Sequence, residues 1–249
     1  MHLDRLAHIL ETVASAGRPV AAAAIYKATG LPRPTAYRLL QSLTEHRLLD
    51  AVEGGYLVGA RLTRIALMGQ SDQDVSRLAE PAMRQAARDL GEAVFLARFR
   101  EAGVEIIRVE LPADPARSYM HPGLGVRPMH ACSCSKAIAA FADEAFRQSI
   151  VDGPMRDYTE HTKTDPAAIA REFLAIQSCG YAECVQEIEL GVSSVAAPIR
   201  VGPVGAPFSV GATGPVRRFT EPRRAEIGRQ LIDVGQKIAA ALQLDREAA

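Results

Sequence analysis

The chain has 249 residues, 48% of them hydrophobic and 23% charged, a composition that suits one or two cored globular domains and excludes a disordered chain or a collagen-like repeat. Basic and acidic residues number 29 each, so no global basic field marks a nucleic-acid partner. The balance is uneven, however: up to Gln70 eight Lys and Arg face five Asp and Glu, a net +3, and the remainder carries −3.

The first segment reads as three short helices. Leu3, Leu6, Ile9, Leu10 and Val13 fall at helical spacing, and Gly17 with Pro19 ends that run. A second helix is expected over Val20 to Thr29, closed by Gly30 with Leu31 plugging the turn. A third starts at Pro34, whose missing N–H costs nothing in a first helical turn, and Ala36, Leu39, Leu40 and Leu43 form its inward stripe. This is helix, tight turn, helix. Leu48 to Val52 and Tyr56 to Val58, around Glu53-Gly54-Gly55, read as a hairpin wing. Arg61 to Met68 restarts a helical pattern through Leu62, Ile65, Ala66 and Leu67. The polar stretch Gln70 to Asp74 interrupts it before a helix over Val75 to Leu90, and Ser71 to Asp74 is expected to be a flexible joint.

Beyond the joint the periods mix. Ala93 to Phe99 and Val104 to Leu111 run like paired strands, joined by Arg100-Glu101-Ala102-Gly103. Lys136 to Phe141 is the body of a short helix, Asp165-Pro166 opens another that Gly180 closes, and Val192 to Val201 and Pro207 to Ala212 are strand-like. Thr220 and Pro222 start a final helix through Ile227, Leu231, Val234, Ile238 and Leu242. The fold class is α+β, with residues 1–59 as a winged helix-turn-helix, 60–77 as linker helix and joint, and 78–249 as an α/β domain.

The strongest chemical signal lies in the third helix. A recognition helix enters the major groove by its N-terminal end, so its first outward residues should be long donors or hydroxyls. Arg33, Pro34, Thr35, Tyr37, Arg38 and Gln41 form that set, and with Arg33 rather than a Ser, Thr or Asp before Pro34, the first N–H groups are left for a phosphate oxygen. The absence of Trp and the 5% aromatic content leave few stacking platforms for single strands, which matters less for duplex DNA. The bland reading is an amphipathic helix with a solvated outer face; the adjoining wing argues against it.

Leu31 to Leu43, Gly55-Tyr56-Leu57-Val58-Gly59, Pro128-Met129-His130-Ala131 with Lys136-Ala137, then Gly180-Tyr181-Ala182, Glu187, Gly191 to Ser194 and Ala196-Ala197-Pro198, taken in order, resemble the IclR family of bacterial transcription regulators. The resemblance implies a winged helix-turn-helix, a linker helix and a GAF-like α/β effector-binding domain, assembled as homodimers or homotetramers on double-stranded operator DNA. It also implies an effector pocket built from Arg127, Met129, Ala131, Ser133, Cys134, Cys184, Ser194, Gly211 and Thr213. The chain departs from the family at Arg127, where an apolar residue is frequent, at Cys184, where a polar one is common, and at Cys134-Ser135, which replaces a glycine-containing pair. Arg127 and the helix start at Ser133 to Ser135 point to a small organic anion as effector.

Other readings of the same residues are an enzyme, or a redox or metal sensor, on the C-terminal domain. Ser133-Cys134-Ser135-Lys136 spells an S-x-x-K, but the companion S-D-N and K-T-G motifs are missing, since Lys163-Thr164 is followed by Asp165. The four cysteines, Cys132, Cys134, Cys179 and Cys184, with His121, His130 and His161, lack the paired spacing of structural zinc and are expected as small buried hydrophobes. His130 reads as a satisfied structural histidine, and Lys136, Arg217-Arg218 and Arg223-Arg224 as solvated charges. No cofactor, metal, catalysis or membrane contact is expected. No run approaches the roughly 20 apolar residues of a membrane span, and Met1 to Leu10 is amphipathic rather than signal-like, which reads as cytoplasmic.

Overall fold

The computed structural model describes residues 2–101, 103–118, 120–201 and 205–244; Ala102 of the expected turn, Met1 and the last five residues lie outside them. Two compact units emerge, one of residues up to Gln70 and one from Ser71 onward.

In the first unit, α1 (His2–Ser15), α2 (Ala22–Thr29) and α3 (Arg33–Glu45) pack Ile9, Val13, Val20, Ile25, Leu39, Leu40 and Leu43 into one core with Leu49. Gly30 closes α2 in the left-handed region at φ 64°, which lets α3 start three residues later. The hairpin of β1 (Leu49–Val52) and β2 (Gly55–Val58) is antiparallel, pairing Leu49 with Val58 and Val52 with Gly55. The second helix starts two residues later than expected, because Val20 exchanges two backbone hydrogen bonds of 3.0 Å with Tyr56 and so becomes a third rung of the wing. Gly55 makes that rung possible: its φ is 143°, and a Cβ there would lie 2.2 Å from the Val20 carbonyl oxygen. The unit ends in α4 (Ala60–Gly69), tied to the wing by the Gly59 N–H donating to Leu48 O at 2.9 Å.

The second unit opens with α5 (Asp72–Leu90). Here the structure corrects the expected joint: the Ser71 hydroxyl caps the Asp74 N–H at 3.1 Å, so Asp72 to Asp74 form a first helical turn rather than a flexible stretch. Asp72 is further fixed by ion pairs to Arg98 (2.7 Å) and Arg100 (2.5 Å). There follow β3 (Ala93–Arg100), β4 (Gly103–Glu110), α6 (Pro115–Ser118), β5 (Gly125–Arg127), α7 (Ser133–Ala139), α8 (Glu144–Val151), α9 (Pro166–Cys179), β6 (Ala182–Val185), β7 (Val192–Ile199), β8 (Phe208–Pro215) and α10 (Glu221–Leu244).

Six strands form one antiparallel sheet in the order β5-β4-β3-β8-β7-β6. The last strand in sequence thus lies at its centre. Every residue of β8 is buried, and its small side chains fit that place: a Cβ on Gly211 would lie 2.2 Å from the Phe95 ring. Phe95, Ala97, Val104 and Ile106 on one sheet face pack with Ala137 and Ile138 of α7 and with Ile169, Phe173 and Ile176 of α9. Helices α5 and α10 pack against each other and against β3, β4, β7 and β8. The result is the GAF-like α/β arrangement that the motifs imply.

Of the charges read from sequence as solvated, Arg217 is exposed, while Lys136, Arg218, Arg223 and Arg224 are paired. Arg218 holds Glu92 through two bonds of 2.6 Å, Arg224 holds Glu183 at 2.6 Å and Arg223 holds Glu226 at 2.7 Å. Lys136 is fully buried and bonds the carboxylates of Glu172 and Glu187, each at 2.8 Å.

Candidate functional site

Helix α3 presents Arg33, Pro34, Tyr37, Arg38 and Gln41 to solvent, with Thr35 half-buried, while Ala36, Leu39, Leu40 and Leu43 face the core. Pro32 is its N-cap and no side chain caps it, so the free N–H groups of the first turn point outward. The Arg33 guanidinium lies over the Tyr26 ring of α2, 5.2 Å from its centroid, and Tyr26 in turn approaches Tyr37 at 6.5 Å. Arg33 therefore stands on an aromatic platform at the helix start, and Gln41 is braced by Glu45 at 3.0 Å.

A cavity of about 290 Å³ lies on the sheet of the second unit. Of the residues expected there, Arg127, Cys184, Ser194 and Thr213 line it, and the register explains their meeting: Cys184 pairs with Ser194, and Ser194 with Thr213, in one row across β6, β7 and β8. The expected set is not wholly gathered. Met129 lines a separate hollow with Phe99, His130, Phe146 and Tyr158, while Ala131, Ser133 and Cys134 are buried behind the wall. Gly211 reaches the cavity only by making room for Phe95.

Sequence reasoning missed Phe95, Ile106, Ile188, Glu189 and Val192, together with Met120, His121 and Pro122. Phe95 stands on β3, whose partner β8 is far along the chain, and Ile106 on β4 of the neighbouring hairpin, while Cys132 lines the cavity from the helix start that the sequence already points to.

The anion cradle expected at Ser133 to Ser135 is not open. Ser133 and Ser135 are fully buried, and the Ser133 hydroxyl is bonded to that of Ser194 at 2.7 Å. Arg127 is placed differently. One guanidinium nitrogen, Nη2, donates to the Gly123 carbonyl, whereas Nε is buried with no hydrogen-bond partner.

Three cysteines behave as the buried small residues expected, but Cys179 is exposed and its thiol donates to Tyr181 O at 3.1 Å. The thiols of Cys132 and Cys134 lie 3.3 Å apart. The Cys134 thiol bonded to Cys132, acting against burial and aided by the Cys134 N–H, Arg127 and Lys136, lowers the Cys132 pKa to about 7. Burial raises Cys134 well above the ordinary thiol value, and burial together with Cys132 pushes Cys184 up to about 12. His130 is buried, bonded through Nε2 to Arg156 O at 3.0 Å and stacked on Tyr158, as a structural histidine should be.

Behind the cavity, Lys136 anchors the segment that carries Ile188 and Glu189. Besides its two bonds to carboxylates, Lys163 reaches Glu172 at 3.0 Å, and Thr159 and Thr162 donate to the carbonyls of Gln186 and Glu187 at 2.6 Å each. With its ammonium held by two carboxylates and Ser133 bonded elsewhere, the S-x-x-K reading has no base and no free nucleophile. Among the described residues no three His, Cys, Asp or Glu side chains gather as a metal site, and no helix is long and apolar enough to cross a membrane.

A winged helix-turn-helix joined to an α/β domain with a cavity defines a ligand-responsive transcription regulator. The chain belongs to the IclR family: the IclR helix-turn-helix domain matches residues 2–53, and the bacterial transcriptional regulator IclR C-terminal domain matches residues 69–240. It is 29% identical to the glycerol operon regulatory protein of Streptomyces coelicolor, over 98% of this chain and 95% of that protein. Its fold matches an IclR transcriptional regulator from Alicyclobacillus acidocaldarius at TM-score 0.63 and 19% identity, covering 96% of this chain and 98% of that one. An IclR homologue from Microbacterium hydrocarbonoxydans, solved with 4-hydroxybenzoate, matches at TM-score 0.61 and 23% identity, covering 98% and 100%. Membership of this family makes the chain a transcription regulator.

Proposed function

We propose that the effector is a small organic anion, held in the cavity by Arg127, and that its binding alters operator affinity. The observation that carries this is the buried, unpartnered Nε of Arg127 beside a cavity of about 290 Å³: a buried donor without an acceptor is costly, and a carboxylate supplies two oxygens in the geometry a guanidinium matches. Phe95 and Ile106 offer an apolar floor for the rest of the molecule, and Ser194 and Thr213 offer hydroxyls. The relative solved with 4-hydroxybenzoate supports the reading by holding an aromatic carboxylate. The name of the Streptomyces coelicolor relative supports a catabolic operon as the setting.

Arg127→Ala is expected to weaken an anionic effector by about 1.5–3 kcal/mol, the range for hydrogen bonds to charged groups, while leaving operator binding by the free protein intact. Calorimetry with a panel of small carboxylates and their neutral amides measures it. Unchanged affinity in the variant, or binding of the amides alone, would reassign the cavity to its hydroxyls.

On the DNA side we read α3 as the groove-facing helix and a homodimer as the minimal binding form, since a palindromic site needs two copies. Ile65 and Met68 on α4 are each more than half exposed, an apolar face that a second copy would cover. Sedimentation at micromolar concentration should give a dimer or tetramer; a monomer with full operator affinity would contradict it.

A further inference from the structure

Neither effector nor operator recognition uses the thiols, yet three of the four cysteines are gathered at the cavity. Cys132 and Cys184 are on its wall, and Cys134 is buried behind Cys132 with 3.3 Å between their sulfurs. Burial as small hydrophobes accounts for Cys134 and Cys184, whose protons are held more tightly than an ordinary thiol's. It does not account for Cys132, which burial opposes as a thiolate but which its surroundings stabilise as one, with the Arg127 guanidinium on the same cavity wall. Geometry distinguishes the two thiols: Cys132 is on the cavity wall, whereas Cys134 lies behind it, in contact with its sulfur. A hydroperoxide small enough for the cavity would meet Cys132 with the Arg127 guanidinium on the same wall.

We propose that Cys132 is a thiol-oxidation site inside the effector cavity, with hydroperoxides as its substrate class and Cys134 as the resolving thiol. The Cys132 thiolate attacks the terminal peroxide oxygen and the O–O bond breaks. The alkoxide or hydroxide leaves and takes a proton from water, so Cys132 becomes a sulfenic acid as the peroxide is reduced to an alcohol or water. The Cys134 sulfur then attacks the Cys132 sulfur and its proton leaves with the hydroxyl as water. Overall, two thiols and one hydroperoxide give a disulfide, an alcohol and water. The sulfurs must close from 3.3 Å to roughly 2.05 Å, which shifts the start of α7 and reshapes the wall that carries Cys132. Oxidation would thereby change the cavity's ligand affinity, and the chemistry stands whether or not the natural effector is an anion.

The test is peptide mapping of the reduced full-length protein by mass spectrometry after treatment with substoichiometric hydrogen peroxide and, separately, cumene hydroperoxide. The peptide carrying Cys132 and Cys134 should lose two hydrogens before exposed Cys179 reacts. Cys134→Ser should instead accumulate a sulfenic acid at Cys132 that dimedone traps, and Cys132→Ser should lose peroxide consumption to background. First reaction at Cys179, with the Cys132 peptide unchanged in the unmutated protein, would overturn the proposal without recourse to any variant. A Cys132 to Cys184 link would overturn the assignment of Cys134.

Discussion

Replacing Lys136 by Met is expected to destabilise the effector domain by about 3–5 kcal/mol, the cost of removing one partner from a buried ion pair. Lys136 is fully buried and Glu187 nearly so, and without the ammonium the Glu187 carboxylate keeps, among the described residues, the single ion pair to Lys163 at 3.9 Å. Urea unfolding followed by circular dichroism measures the loss, and a companion Lys136→Met, Glu187→Leu variant should recover part of it, because the stranded charge goes with its partner. A change under about 1 kcal/mol in the single variant would show the pair to be dispensable, the magnitude typical of exposed pairs.

The same network gives stability a pH dependence of definite sign. Burial raises the Glu187 pKa, and Lys136 offsets this only in part; the native state therefore binds that proton more readily than the unfolded chain, and this contribution to stability falls as pH rises from the unfolded value through the raised one. Burial works to lower the Lys136 pKa, but Glu187 and Glu172 outweigh it and the net shift is upward. Its contribution is thus complete below the unfolded lysine pKa and is lost as pH rises through the folded one.

In the first unit, Arg38→Ala is expected to cost about 1–3 kcal/mol at the operator and to relax specificity at one base pair, as loss of a base-edge contact does. Arg38 is exposed on the outer face of α3, whereas Arg33 is held by the Tyr26 ring, 5.2 Å away, at the uncapped helix start, the position suited to a phosphate of the DNA backbone. Arg33→Ala should accordingly weaken binding on all sequences and reduce the salt slope by about one. Fluorescence anisotropy over a salt series, with operator and scrambled duplexes, separates the two. Operator binding unchanged in both variants would remove α3 from the groove.

The helix-turn-helix was legible because its signals are local: the apolar period of α1 and α3, Gly30 at the turn and the glycines of the wing. Val20 shows where locality fails. Its apolar side chain suits a helix, but two hydrogen bonds to Tyr56, 36 residues on, decide otherwise. In the second unit the hairpin of β3 and β4 announced itself by its apolar strands, while β5 has three residues and β6 four, too short for any period to show. Helix α8 was also missed, although Asp143 caps it through the Phe146 N–H at 2.8 Å. Lys136 was misread for a different reason: its carboxylates lie 36 and 51 residues away, and a lysine without a local acid looks solvated. The cavity divides along the same line. Cys184, Ser194 and Thr213 follow from the family motifs, whereas Phe95 depends on a register between β3 and β8, with Gly211 opposite it, that no local pattern encodes.

The proposed coupling of cavity to operator is measurable from either side, because linkage makes it reciprocal. The most direct measurement is the affinity of the full-length protein for a duplex of its own promoter, titrated in salt with and without a saturating small carboxylate, 4-hydroxybenzoate being a suitable first probe. Unmutated protein should bind tightly with a steep salt dependence and shift its affinity when the carboxylate is added, and Arg127→Ala should bind the same duplex without the shift. Binding no tighter than to a scrambled duplex, or an equal carboxylate shift in Arg127→Ala, would contradict it.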